Sequence, residues 1–378
     1  MREFIKRYRL SITTIGPVHI GSGQKYNSKE YIFDREKNEV YFPDIVKLYA
    51  YLDDAKKNSF EQFMMRSSTQ DNQSDMYNKS ANYGSNRGYS KNNTRSNKGQ
   101  QQQNQGAQRL QSWVKNNITR SITNDHKGQW GGYTLDIGTI GKDKNGNSVQ
   151  LNEIDAFIKN GFGRPYIPGS SVKGMLRTIF LKYYALQNLS DSKEPPFNIR
   201  VSDSREFENS NLIVLQKRDI QFDKEKPSSP PVFRECINSV DSNNDYNVFN
   251  FDVSVDMTQD GVENMCGFIK NLEKIAEKVY EEYLYQTEQY EKYREENDLE
   301  NETGAYFFLG GGSGILSKTY GITDKEIADV LSNNRGFQKA KHKEFYQKNG
   351  FSPKVLKTAE HGWVTEMGQV SLSVEEVG

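Results

Sequence analysis

One stretch restricts what this chain can fold into more than any other: residues 163–178, G-R-P-Y-I-P-G-S-S-V-K-G-M-L-R-T. Pro165 and Pro168 keep Tyr166 and Ile167 out of helix, so an extended run ends here. Gly169 permits a tight turn. A hydroxyl of Ser170 or Ser171 is placed to cap a helix, by accepting a free N–H of its first turn. Val172, Met175, Leu176, Ile179 and Phe180 then recur at helical spacing, which predicts a buried helix. Lys173 and Arg177, four apart, share one face near its start. Free N–H groups, two hydroxyls and two cations in one place suit a phosphate.

The surrounding charge points the same way. No Asp or Glu occurs from residue 156 to 190, whereas Lys159, Arg164, Lys173, Arg177 and Lys182 all do. Such a surface faces an anion, either a single phosphate or a polymer. An ordinary strand–turn–helix with a capping serine would carry the same residues, and both readings stay open at this point.

Two further segments invite the same question. Residues 4–20 read as a first strand, with Tyr8, Leu10, Ile12 and Thr14 alternating with Arg7, Arg9, Ser11 and Thr13. The strand runs through Gly16-Pro17-Val18 into His19-Ile20-Gly21-Ser22-Gly23, where two glycines around a serine let a backbone approach a ligand. Lys25 and Lys29 come next. His19 reads as a general base or, more simply, as a satisfied structural histidine. Late in the chain a short strand, 306–309, enters Gly310-Gly311-Gly312-Ser313-Gly314. From Gly312 to Thr319 the pattern is that of a P-loop except that Ser317 stands where glycine is required, which argues against an NTPase. A loop donating N–H groups to an RNA backbone beside Lys318 fits better.

These three motifs, in this order, resemble the RAMP superfamily of CRISPR proteins. The string from Pro165 to Thr178 resembles its signature, the glycines after the first strand its first turn, and the cluster at 310–314 its C-terminal glycine-rich loop. Order and spacing are most similar to the subunit that caps the backbone of the type III-A (Csm) interference complex. The resemblance implies an α/β (α+β) fold: a ferredoxin-like, RRM-type core with insertions, and a C-terminal part that would be a degenerate second copy or complete the first. It implies binding of the 3′ part of a guide RNA through backbone phosphates, without catalysis and without a cofactor or metal. The implied contacts are His19, Gly21, Ser22, Gly23, Lys25, Arg164, Ser170, Ser171, Lys173, Arg177, Gly310, Gly311, Gly312, Ser313, Gly314 and Lys318. The implied partners are guide RNA (crRNA), the backbone RAMP subunit, the small subunit of the complex, and host nucleases that trim the guide's 3′ end. The rival within the superfamily is an endoribonuclease acting on guide or target. It finds no acid–base partner for His19, and Ser28 stands near where target-cleaving subunits carry an aspartate. A third reading is a purely protein-binding scaffold.

The rest of the chain sets boundaries. Residues 66–108 contain no Val, Ile, Leu, Phe or Trp and are dominated by Ser, Asn, Gln and Gly. Such a stretch buries too little apolar surface to offset chain entropy, so 67–108 reads as a disordered insertion. Its Tyr77, Tyr83 and Tyr89 interleave with cations, as in segments that stack on single-stranded RNA. The core is then expected from 1–66 and 109–235, and the C-terminal part from 236–378. A hairpin is expected over 31–42, a helix capped by Asp44, short helices over 110–122 and 152–159, strands near 212–222 and 251–257, and a long helix from 267. A closing strand is expected over 362–374. Cys236 and Cys266 form neither a disulfide framework nor a zinc spacing, which fits a reducing cytoplasm. No apolar run is long enough for a membrane span. Equal numbers of acidic and basic residues, 50 each, leave no net charge, so any anion-binding surface must arise from segregation.

Overall fold

The computed structural model describes residues 4–65, 109–142, 146–187, 196–219, 230–240, 245–258, 262–286, 304–318, 354–357 and 364–377. In chain order the strands are β1 (Ile5–Thr14), β2 (Gly21–Asn27), β3 (Ile32–Asp34), β4 (Glu39–Phe42), β5 (Tyr133–Ile137), β6 (Glu153–Phe157), β7 (Ile199–Val201), β8 (Leu212–Gln216), β9 (Arg218–Asp219), β10 (Phe233–Ile237), β11 (Val248–Asp256), β12 (Tyr306–Phe308), β13 (Lys354–Lys357), β14 (Val364–Glu366) and β15 (Gln369–Val377). The helices are α1 (Ile45–Tyr51), α2 (Asp54–Met65), α3 (Leu110–Asn117), α4 (Asn124–Trp130), α5 (Gly169–Leu186), α6 (Val262–Lys270) and α7 (Leu272–Gln286). They fall into two compact units, one of 1–26, 35–40 and 134–378, the other of 27–34 and 41–133.

The larger unit contains a βαββαβ arrangement: β1, α5, β7, β11, α7, β15. Its sheet runs β15-β1-β11-β7, every neighbouring pair antiparallel, with β12 added beside β15. That strand order and chain path are those of the ferredoxin-like split βαβ, so the mixed α+β expectation holds. The C-terminal residues complete this core, supplying its second helix and fourth strand. In register, Leu10 lies between Phe251 on one side and Val374 on the other. Tyr8, Leu10, Ile12 and Thr14 are buried on alternate positions of β1, as are Phe249, Phe251, Val253 and Val255 on β11. Val172, Met175, Leu176, Ile179 and Phe180 form the buried face of α5. Each such side chain contributes about 1.5–3 kcal/mol on burial, against about 1 for a capping hydroxyl. The apolar stripe, not the serines, therefore fixes where α5 lies.

A second sheet in this unit has the order β2-β6-β10-β8-β5, with β6 and β10 parallel and β10 and β8 antiparallel. Residues 152–159, expected as a short helix, are here the strand β6. Their buried positions, Ile154, Ala156 and Phe157, pair beside β10 through Ile154 and Phe233, and this tertiary pairing overrides a weak helical pattern. Residues 21–23, expected in the turn after the first strand, instead begin the edge strand β2, exposed at nearly every position. A small third sheet joins β14, β13 and β9.

The smaller unit has its own core of Leu48, Leu52, Phe60, Phe63, Leu110, Trp113, Val114 and Trp130. Asp44 caps α1 as expected, its Oδ1 accepting from the N–H groups of Val46 and Lys47 at 3.0 and 3.1 Å. Lys29 is buried, and its Nζ donates to the carbonyls of Phe63 and Met64 at the C-terminal end of α2, where a cation meets the negative end of the helix dipole. The stretch 67–108 lies outside the described residues, as do residues 220–229 beyond Lys217 and Arg218. Among the described residues no helix is long and apolar enough to cross a membrane.

Candidate nucleic-acid interface

The start of α5 differs from the sequence expectation in one respect. The N-cap is Pro168, with no side-chain cap, and Ser170 and Ser171 lie already inside the helix. The N–H of Gly169 donates to Oδ1 of Asp203 at 2.7 Å, and the N–H of Ser171 to the Pro168 carbonyl at 2.9 Å. Gly169 is forced by contact: a Cβ there would stand 2.2 Å from the carbonyl oxygen of Val201. A carboxylate of the protein thus already holds the helix N-terminus, where the sequence suggested a phosphate.

Groups from elsewhere also answer several of the cations that looked unopposed. Arg164 pairs with Glu208, and the Asn160 amide donates to Glu206. Lys159 meets the fully buried Glu235 at 2.7 Å; burial lowers its pKa and Glu235 raises it. Lys182 donates to the carbonyl of Leu316 at 2.9 Å, and burial pushes its pKa down to about 8 against the opposing pull of Glu282. Lys25 lies 3.2 Å from Glu153 and 3.6 Å from Asp155.

A stripe of small, polar and basic residues lies on the solvent side of α5. Ser170, Gly174 and Arg177 are exposed and Lys173 is half-buried. The spacing places them on one face, opposite the apolar stripe. No side chain on this helix is acidic. A Cβ added at Gly174 would meet nothing within 4 Å, so a polymer backbone has room to lie against the helix between the two cations. Ser171 flanks this stripe, half-buried.

The first turn and the glycine-rich loop come together. Gly311 donates its N–H to the carbonyl of His19 at 2.7 Å, and Gly368 donates to Pro17 at 2.8 Å. Gly310, at φ +81°, has room for no side chain, because a Cβ would stand 2.2 Å from the His19 oxygen. A Cβ on Gly312, at φ +91°, would overlap the guanidinium of Arg234 and the side chain of Met367. Arg234 in turn pairs with Asp155 at 3.2 Å. Ser313 is buried, Gly314 has φ +87°, and Lys318 ends the loop at the surface. Ser317, the residue that spoils the P-loop pattern, is buried with its hydroxyl bonded to the Ser313 hydroxyl at 2.9 Å and close to the carbonyls of Ser313 and Gly314. The serine closes the loop on itself.

His19 is buried, its Nδ1 2.7 Å from the carbonyl of Glu235 and its ring edge-on to Phe157. Burial lowers its pKa. That placement makes it a neutral structural residue holding β10 beside the first turn. Gly21, Ser22, Gly23 and Lys25 lie along the exposed edge strand β2. The outward positions of β1, β11 and β15 hold Arg7, Arg9, Ser11, Asn250, Asp252, Ser373 and Glu375 and no aromatic ring. RRM sheets read bases with aromatics on that face, and these positions offer none.

Residues 11–317 match the RAMP superfamily. The chain belongs to the RAMP superfamily. The CRISPR system Cms protein Csm5 of Mycobacterium tuberculosis (strain ATCC 25618 / H37Rv) is similar to this RAMP chain, 29% identical over 428 residues that cover 99% of each. The protein of the same description from Streptococcus thermophilus is 27% identical over 350 residues, 84% of this chain and 81% of that one. A chain of a solved structure described as a Csm-crRNA-target RNA ternary complex in a type III-A CRISPR-Cas system superposes with a TM-score of 0.55 at 16% identity, over 98% of this chain and 100% of that one. The two share a fold.

Proposed function

We propose that this chain is the crRNA-binding subunit that caps the backbone of a type III-A CRISPR effector complex, holding the 3′ part of the guide by its phosphates and cutting no RNA itself. The observation that carries this reading is the solvent-facing stripe of Ser170, Lys173, Gly174 and Arg177 on α5, a helix with no acidic side chain of its own. Side chains rather than the helix N-terminus meet the phosphates, because Asp203 already occupies that end. Lys25, Gly21, Ser22 and Gly23 on β2 and the surface of the loop at Gly311 extend the contact. The names of the relatives and the shared fold support placement in such a complex, with neighbouring RAMP and small subunits as protein partners and host nucleases acting on the protruding guide end. A structural role for His19, buried and bonded to a backbone carbonyl, supports the non-catalytic reading.

The test is RNA binding as a function of salt. Lys173→Glu with Arg177→Glu removes two phosphate contacts and should flatten the slope of log K against log salt by roughly 1.4, at about 0.7 per contact for a single strand. An unchanged slope and affinity, with a native melting curve, would remove α5 from the RNA surface. Labelled guide and target RNA should survive incubation with the pure protein, with or without Mg²⁺. Cleavage that stays with the protein through further purification would restore the endoribonuclease reading.

A further inference from the structure

Just before the central motif the chain makes a tight hairpin whose tip is Gly161-Phe162-Gly163. Phe162 is 90% exposed, the most exposed large apolar side chain among the described residues. It is not on a slack loop. The Asn160 side chain accepts from the N–H groups of Phe162 and Arg164 at 2.9 and 3.0 Å. The backbones of Asn160 and Arg164 bond at 2.9 Å, and Gly163 donates to the Asn160 carbonyl at 3.0 Å. Lys159 and Pro165 bridge antiparallel below the tip. The ring is therefore held out into solvent, an arrangement that costs the exposure of a large apolar surface and contributes no packing in return.

The glycines beside it add a second observation. A Cβ at either Gly161 or Gly163 would meet nothing within 4 Å. Gly163 has φ +76°, which explains its glycine, but Gly161 has no positive φ. Nothing within the fold requires glycine at 161. Its effect is to leave clear space beside the ring for something that comes from outside.

We propose that Phe162 is a stacking platform for one base of the guide RNA, an inference that rests on the RNA-binding reading above. The surroundings fit single-stranded nucleic acid, which needs aromatic faces interleaved with cations. Arg164, two residues on, is held by Glu208. Ser204 and Phe207 pair with Ile167 and Pro165, which places the exposed Arg205 on the neighbouring segment. The nearby carboxylates, Glu206 and Glu208, are engaged by Asn160 and Arg164. The same chain leads directly into α5, which carries Lys173 and Arg177.

The experiment walks 2-aminopurine along a guide-length single-stranded RNA and measures affinity and fluorescence change with the wild-type chain and with Phe162→Ala, Phe162→Leu and Phe162→Trp. Expected are a fluorescence change confined to one or two positions, its loss in the Ala and Leu variants with affinity about five- to tenfold weaker, and its retention in Trp. Melting curves should not move, because the side chain is 90% exposed. Wild-type binding with the same affinity and fluorescence in all variants would overturn the platform while leaving the RNA reading intact. Absence of any wild-type binding would overturn both. Normal RNA binding by Phe162→Ala combined with lost co-purification of the complex, restored by Leu, would show that the ring fills an apolar pocket on a protein instead.

Discussion

Two glycine-rich turns in this molecule look alike in sequence and differ in what makes them glycine-rich. In the loop at 310–314 the fold itself dictates the residues: a side chain on Gly310 would strike the His19 carbonyl, and one on Gly312 would strike Arg234 and Met367. At 161–163 no neighbour stands within 4 Å of either glycine's missing side chain. The first loop is glycine-rich because the protein presses against it from inside. The second has empty space around it and an aromatic ring at its tip. The second leaves open space beside both of its glycines, whereas the first offers a partner only its exposed surface at Gly311.

The sharpest way to break this contrast is Gly310→Ala. With φ +81° and a 2.2 Å overlap with backbone, the substitution should cost roughly 3 kcal/mol or more, visible as a clear fall in melting temperature. A midpoint within a degree or two of wild type would mean that packing does not dictate the loop. Next comes His19→Gln, which probes the residue the loop packs on. His19's folded pKa lies below its ordinary value, so as pH falls through about 6.5 the unfolded chain takes up a proton before the folded one does, and stability declines until the folded pKa is passed. The wild-type advantage over the variant should be full above pH 7 and should shrink on acidification. A pH-independent difference would show that the ring is not held neutral. Gly163→Ala should cost only about 1 kcal/mol, from left-handed backbone alone. Smallest is Gly161→Ala, expected within about 0.5 kcal/mol of wild type while weakening guide binding; a strong loss of stability would place its glycine with those of the other loop.

Much of the scaffold was legible because it rests on local chemistry. The apolar spacing of α5, the alternation of β1 and the Asp44 cap all appear where nearest-neighbour physics puts them. The site was less so, for a reason of distance. The run without Asp or Glu at 156–190 reads as an open basic surface only until folding brings in Asp203, Glu206, Glu208 and Glu235. Carboxylates tens of residues away in sequence are invisible to a window, and they remove Arg164, Lys159 and the helix N-terminus from the unopposed positive charge. Ser170 and Ser171 misled because Pro168, whose ring fixes φ, starts the helix one residue before them. Strand β2 was hidden by its glycines, since pairing with β6 rather than side-chain propensity makes it a strand. Phe162 carried a readable signal, an aromatic between two glycines, that only its exposure turns into a functional one.

The placement of β1 has a consequence for how the protein comes into being. Leu10 needs Phe251 on one flank and Val374 on the other, so both edges of β1 wait for partners made much later on the ribosome. At about 5–20 residues per second, the second of these appears on the order of twenty seconds to a minute after the first strand emerges. Until then an alternating apolar strand stands with both edges open, the kind of surface to which other chains add. The chain is therefore exposed to pairing with other chains for longer than a sheet built from neighbouring strands would be.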